Sequence, residues 1–154
     1  MVLLRISSEY KDIKEIINIL DKITPKNSVL QLINPKYVVS ERQIGIAFKK
    51  AKEAFKDGYN KSNSIQNELL LWICAEKHVS KAIKKAGAHN TKDFFLFYEG
   101  KTEVNKILKE IKAKKKKLVF TPDLKALGID KKLLKDYPLE DLVLEKMAVS
   151  YLER

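Results

Sequence analysis

The residues of this chain that could do chemistry are few, and they do not assemble into a catalytic set. His78 and His89 stand eleven residues apart with no cysteine or carboxylate at ligand spacing, so no zinc site is expected. His78 starts a helix and His89 sits in a polar turn, the ordinary setting of a surface histidine rather than of a general base. The glycines at positions 45, 58, 87, 100 and 128 cannot build a phosphate-cradling loop or a dinucleotide fingerprint. Cys74 is the one cysteine and ends an apolar stretch, where a small buried hydrophobe is the default and a nucleophile the exception. Glu68 interrupts the same stretch. A carboxylate there either orders a loop or contacts a ligand; without a placed acid partner it does not make a hydrolase. The expectation is therefore a non-enzyme with no metal, no cofactor and no small-molecule substrate.

What the sequence does offer is cationic charge at regular intervals. Lys77, Lys81, Lys84 and Lys85 recur at 3–4 spacing on the outside of a short amphipathic segment, with Val79, Ala82, Ile83 and Ala86 inside. Together with Lys61 and the polar loop from Asn60 to Asn67, they could meet a polyanion such as nucleic acid, with Trp72 or Ile73 as nearby apolar surface; the alternative is an ordinary solvated face. The competing assignment for Trp72 is the core. The formal charge is +11 and unevenly spread. From Lys101 to Lys135 twelve lysines face four acids, a local +8, whereas Asp136 to Arg154 carries a local −3. Such asymmetry suggests two partners, one polyanionic and one not. The run Lys114 to Lys117 is either a solvated turn or a backbone contact.

Elements that would position these residues follow from periodicity. Val2 to Ile6 reads as a strand, and Asp12 to Ile23 as a helix burying Ile13, Ile16, Ile17 and Leu20. Ser28 to Ile33 is a second strand. Ser40 and Gln43 form a capping box for a helix ending at Gly58. Ser64 caps the next helix, in which Ile65, Leu69, Leu70, Leu71, Trp72 and Ile73 leave almost no polar face, so it must be covered on all sides. The basic helix then runs to Ala86 before Gly87. Phe94 to Tyr98 is too continuously apolar for a strand facing water. A helix from Thr102 to about Lys112, a short strand at Leu118-Val119-Phe120, helical turns after Pro122 and at Lys131 to Lys135, and a final helix from Leu139 to about Leu152 complete the order. The pattern is α+β: one domain over residues 1–154, with a small, mainly antiparallel sheet packed against several helices.

No apolar run approaches the roughly 18 residues a spanning helix needs. The N-terminal segment lacks a basic export-type region, and one cysteine suits a reducing compartment, so a cytoplasmic protein is expected. The final helix spreads Leu139, Leu142, Val143, Leu144, Met147, Val149, Tyr151 and Leu152 over more than one face. A domain of this size buries one stripe, so the surplus either meets a protein partner or is sandwiched between the sheet and neighbouring helices.

The stretch Ser62 to Gly87 resembles the central segment of the kinase-binding small subunit of the KEOPS complex, the TPRKB (PRPK-binding protein) family, in its archaeal form. Ser64, Glu68-Leu69-Leu70, Lys77-His78, Val79, Ala82-Ile83 and Gly87 take the places of that family's Ser/Thr loop, Glu-Leu-Leu helix, basic–polar pair and capping glycine. The tail Asp136-Tyr137-Pro138 through Leu144-Glu145-Lys146-Met147-Ala148 is similar to the family's closing segment. Lys77-His78 departs from the commoner Arg-Gln, and Cys74-Ala75-Glu76 replaces a small Ser/Gly turn. The resemblance implies a non-catalytic subunit that binds the small KEOPS kinase/ATPase through helices rather than the sheet. It also implies contact with tRNA at the 3′ CCA end, in a complex that installs threonylcarbamoyl on the adenosine next to the anticodon. On that reading Lys61, Ser64, Asn67, Glu68, Trp72, Ile73, Lys77, Lys81, Lys84 and Lys85 face RNA, and Leu139, Leu142, Val143, Met147 and Tyr151 face the kinase. A stand-alone basic RNA-binding module is the alternative, although no known RNA-binding signature is present.

Overall fold

The alternation and length of the apolar runs are realised as four strands and seven α-helices among residues 1–153, which the computed structural model describes. They gather into two compact units, each made of two separate stretches: residues 1–35 with 88–119, and residues 36–87 with the chain from Phe120 onward.

The first unit is built on a sheet of order β2-β3-β1-β4, with β1 (Val2–Ser8), β2 (Val29–Ile33), β3 (Phe94–Glu99) and β4 (Ala113–Lys115), and every pairing is antiparallel. The continuous apolar run of β3 makes it a central strand, and Phe94 to Tyr98 are all buried. Helix α1 (Ile13–Ile23) begins at Asp12, whose carboxylate accepts the Lys14 N–H at 2.9 Å. Its Ile16 and Leu20 pack with Ile6, Leu32, Phe94, Leu96 and Tyr98, and with Ile107, Leu108 and Ile111 from α5 (Val104–Glu110) and its end. Ile17, expected inside, is exposed.

The last strand is not where periodicity puts it. Leu118 to Phe120 is irregular, with Leu118 and Val119 exposed, and the edge strand is formed by Ala113–Lys115 opposite Ile6–Ser8. The ladder continues one bond further, from the Lys116 N–H to the Arg5 carbonyl at 2.8 Å. The chain then folds into a tight turn, with the Val119 N–H on the Lys117 carbonyl. Lysines suit such an edge strand because their charge resists pairing with another chain.

That turn is anchored by Arg5. Its Nε and Nη2 grip the Asp93 carboxylate at 2.8 and 2.7 Å, while Nη1 donates to the Val119 carbonyl at 2.8 Å. The guanidinium lies 5.4 Å from the Phe95 ring centre, and Lys116 adds a second cation to Asp93 at 3.1 Å. The hydrogen bonds from Arg5 hold the Asp93 carboxyl below its ordinary value of 3.8. A depressed folded value means the contribution is complete above the unfolded value and is lost as pH falls through the folded one. Asp93→Ala, which leaves a buried guanidinium unpaired, should cost about 3 kcal/mol at neutral pH. Asp93→Asn should flatten the loss of stability below about pH 4, as read from urea midpoints across pH; an unchanged acid limb would dismiss the pair as an anchor.

In the second unit, α2 (Glu41–Asp57) starts at Ser40, whose hydroxyl accepts the Gln43 N–H at 3.1 Å. The reciprocal half of the capping box is shifted. The Gln43 side chain accepts from Val39 N–H at 2.7 Å and donates to the Tyr37 carbonyl at 2.9 Å, so this fully buried amide ties down the turn that precedes the helix. Helix α3 (Ile65–Ile73) packs against α2, α4 (Val79–Ala86) and α7 (Leu139–Leu152). The short α6 (Leu124–Leu127) is capped by Asp123 and closed by Gly128 at φ +66°. A 3₁₀ turn at Lys131–Lys135 leads to Pro138, and α7 follows directly, with proline preset at its start.

Candidate functional site

Helix α3 organises the helical unit because, from Glu68 onward, it has no solvent face. From Glu68 to Ile73 every residue is at most 1% exposed. Glu68 is the one charged group in that stretch, and its position explains itself: Oε2 accepts the backbone N–H groups of Lys61 and Ser62, both at 3.0 Å. Ser64 caps the helix by accepting the Asn67 N–H at 3.2 Å. Of the two roles open to Glu68, the geometry gives it the loop-ordering one.

The other end of α3 closes in a Schellman motif. The Glu76 N–H reaches the Leu71 carbonyl at 3.0 Å and the Ala75 N–H the Trp72 carbonyl at 3.3 Å, with Ala75 left-handed at φ +51°. Glycine is the usual residue there, so the Cys74-Ala75-Glu76 departure puts mild strain at this turn. Burial pushes the Cys74 thiol up to about 12, so it is no thiolate near neutral pH. Glu76 turns back to Lys85 at 2.8 Å, and their hydrogen bond lowers the Glu76 carboxyl and raises the Lys85 ammonium.

Helix α4 presents Lys81, Lys84 and Lys85 to solvent, with Ala82 and Ala86 buried beneath. Ile83, expected inside, is 43% exposed among those lysines. Gly87 ends the helix without a positive φ; a Cβ there would meet the Ile83 carbonyl oxygen at 2.5 Å, so the close approach itself demands glycine. Beside this end of α3 lies an open pocket of about 410 Å³, lined by Tyr37, Glu76, Lys85, Leu127, Lys146 and Val149 among others.

The residues expected to face RNA therefore separate. Lys85 lines the pocket and Lys81 and Lys84 are exposed beside it in sequence, while Lys77 is exposed and pairs with Glu153 at 3.2 Å. Lys61, Ser64 and Asn67 lie at the opposite end of α3, a helix that spans roughly 13 Å. Glu68, Trp72 and Ile73 are enclosed, Trp72 reaching the surface only at the edge of a groove beside α7. Ile83 instead stands exposed among the lysines of α4. The sequence signal was present, since Ile83 follows Ala82 on a helix too narrow to bury both.

The final helix shows the same division. Leu142, Val143 and Met147 are buried and hold α7 in place, with Met147 also contributing to the floor of the groove on the outer side; Leu139 is half-buried. Tyr151 is 45% exposed and Leu152 80%. On the outer side, Leu144, Ala148, Tyr151 and Leu152 of α7, with Ile46 and Lys50 of α2 and the edge of Trp72, line an apolar groove of about 300 Å³. Tyr151 stacks on Trp72 at 6.2 Å between ring centres, meets Tyr59 edge-on at 5.6 Å, and carries the Lys50 ammonium 5.5 Å above it. Lys146, on neither face, donates to the Leu127 and Gly128 carbonyls at 2.8 and 3.1 Å and so neutralises the C-terminal end of α6.

An apolar groove on the outer side of a helix whose inner side is already buried is the kind of surface at which proteins meet other proteins. The sequence profile of kinase binding protein CGI-121 matches residues 10–151. The chain belongs to that family. In this CGI-121 family protein the match runs through both units, taking in α3, α4 and the outward face of α7 up to Tyr151. Family membership makes binding to a kinase the property to be explained. Among the described residues no group of three His, Cys, Asp or Glu side chains is placed to hold a metal, and no helix is long and apolar enough to cross a membrane.

The role of Glu68 is directly testable. Glu68→Ala, which strands two N–H groups beside the loop from Lys61 to Ser64, should destabilise the protein by about 2–3 kcal/mol. Glu68→Gln keeps an acceptor and should cost less than half of that. Amide exchange at Lys61 and Ser62 should rise in step; protection unaltered in the alanine variant would show that the carboxylate does not hold the loop.

Proposed function

We propose that this protein is the kinase-docking subunit of a KEOPS-type complex, that its kinase partner seats on the groove between α2 and α7, and that the lysine face of α4 receives RNA. The observation that carries this reading is the second face of α7. A helix that shields Leu142, Val143 and Met147 also sets Leu144, Ala148, Tyr151 and Leu152 around a groove that water covers poorly. Aromatic anchors framed by a cation are the composition of binding hot spots. The kinase of the reading is the small kinase/ATPase of that complex, and the modification supported is threonylcarbamoylation of the adenosine beside the tRNA anticodon. Catalysis resides in other subunits.

The RNA half of the proposal rests on α4. Lys81 and Lys84 are exposed, Lys85 lines the adjoining pocket, and Ile83 supplies apolar surface among them. A single-stranded 3′ end suits such a face, since its phosphates meet ammonium groups while an unstacked base rests on the aliphatic side chain. The CCA end of tRNA is the ligand of this reading.

Two sets of variants separate the halves. Ala148→Glu and Leu152→Asp should weaken binding of the purified small kinase by about 2 kcal/mol or more, roughly thirty-fold, in titration calorimetry, with little change in melting temperature because neither side chain is buried. Lys81→Glu with Lys84→Glu should leave kinase affinity intact and weaken a tRNA transcript ending in CCA, with a shallower dependence on salt. Kinase binding at wild-type strength in both groove variants would remove the groove from the proposal. Tight RNA binding with no kinase affinity at all would favour a stand-alone RNA-binding module.

A further inference from the structure

We infer that the β4 edge of the first unit is a second polyanion surface, one that holds the phosphodiester backbone of double-stranded RNA without regard to sequence. The inference deepens the RNA half of the reading above but stands on different residues. Ala88 to Val119 carries nine lysines against four acids. Four of those lysines, Lys114 to Lys117, are consecutive and exposed on and just after the edge strand. Asp93, the carboxylate that pairs with this run, is shared by Arg5 and Lys116. Among the described residues no carboxylate lies within ion-pair distance of Lys114, Lys115 or Lys117, so three cations face solvent unneutralised.

The register places this charge on both sides of the sheet. Lys115 stands opposite Ile6, on the side of α1 and α5, whereas Lys114 stands opposite Ser7 and projects to the other side with Lys116. The ladder bond from the Lys116 N–H to Arg5 turns the alternate N–H, that of Lys115, away from β1, adding a neutral donor at the rim. A rim one strand thick, cationic on both faces, matches a ligand whose negative charges flank a gap, as the two phosphodiester strands of a duplex do. An anionic membrane fits less well. The neighbouring apolar residues, Leu118 and Val119, are only 38% and 40% exposed, so they offer little side chain to insert into a bilayer.

The rival explanation is that the lysines only keep the edge from pairing with another chain. Substitution by glutamate separates the two, because an acidic edge is as well protected as a basic one. The triple variant Lys114→Glu, Lys115→Glu, Lys117→Glu, sparing Lys116, should remain monomeric by light scattering. It should bind a blunt RNA duplex roughly ten- to a hundred-fold more weakly at about 0.1 M salt, with the slope of log K against log salt shallower by roughly two to three. The blunt duplex has no single-stranded end, so the loss should appear even in the Lys81→Glu, Lys84→Glu background; failure of the α4 reading leaves this result standing. Duplex binding unchanged in the triple variant would overturn the inference and leave edge protection as the explanation. So would wild-type protein that ignores the duplex, or that binds phosphatidylserine vesicles through these lysines in its place.

Discussion

A nine-residue helix with no solvent face from Glu68 onward sets the terms for the helical unit. Because α3 is apolar all round, it cannot lie on a surface; α2, α4 and α7 must each give it one face. That single requirement fixes what those three helices have left to show. Helix α4 turns Ala82 and Ala86 inward and is left with lysines outside. Helix α7 turns Leu142, Val143 and Met147 inward and is left with a second apolar side. The buried carboxylate of Glu68 belongs to the same logic, since a helix without solvent still has to order the loop that enters it, and Oε2 does so with two backbone bonds.

Much of this was legible in the chain, for reasons that differ element by element. Ser40, Ser64 and Asp12 announce helix starts because a side-chain oxygen answers a specific orphan N–H, a local interaction that does not wait on tertiary structure. The continuous run of β3 and the all-round apolarity of α3 announce burial for the same local reason. The misplaced last strand shows where local reading stops. Leu118-Val119-Phe120 has the better intrinsic preference, but strand pairing is decided by what lies opposite, and Ile6–Ser8 takes up Ala113–Lys115.

The candidate sites were legible in type and not in detail. Surplus apolar surface on α7 follows from counting residues per face, yet the count cannot say which side the core will claim; Met147 and Tyr151 are four apart and end up buried and exposed respectively. Trp72 is the clearest case. Its ring was open to two assignments, base platform or core, and it is enclosed, reaching the surface only as part of the wall of the α7 groove beneath Tyr151. Ile83 made the opposite exchange. An eight-residue helix buries about two side chains per face, and the alanines have taken both places.

The two kinds of surface respond differently to the solvent, and that difference bears on how one small chain can serve two partners. The α7 groove is apolar with Lys50 at its rim, so association there draws on burial and depends little on ionic strength. The lysine faces depend on it steeply, because every phosphate contact releases counterions. Lys146 and Lys85 show that the fold does not leave cations free by default: one is spent on the carbonyls that end α6 and the other on Glu76. Lys81 on α4, with Lys114, Lys115 and Lys117 along the β4 rim, stands outside such arrangements among the described residues and carries charge the fold does not itself consume. On the proposed reading that charge acts first and at long range, gathering RNA loosely, while the groove fixes the protein on its kinase by contact alone.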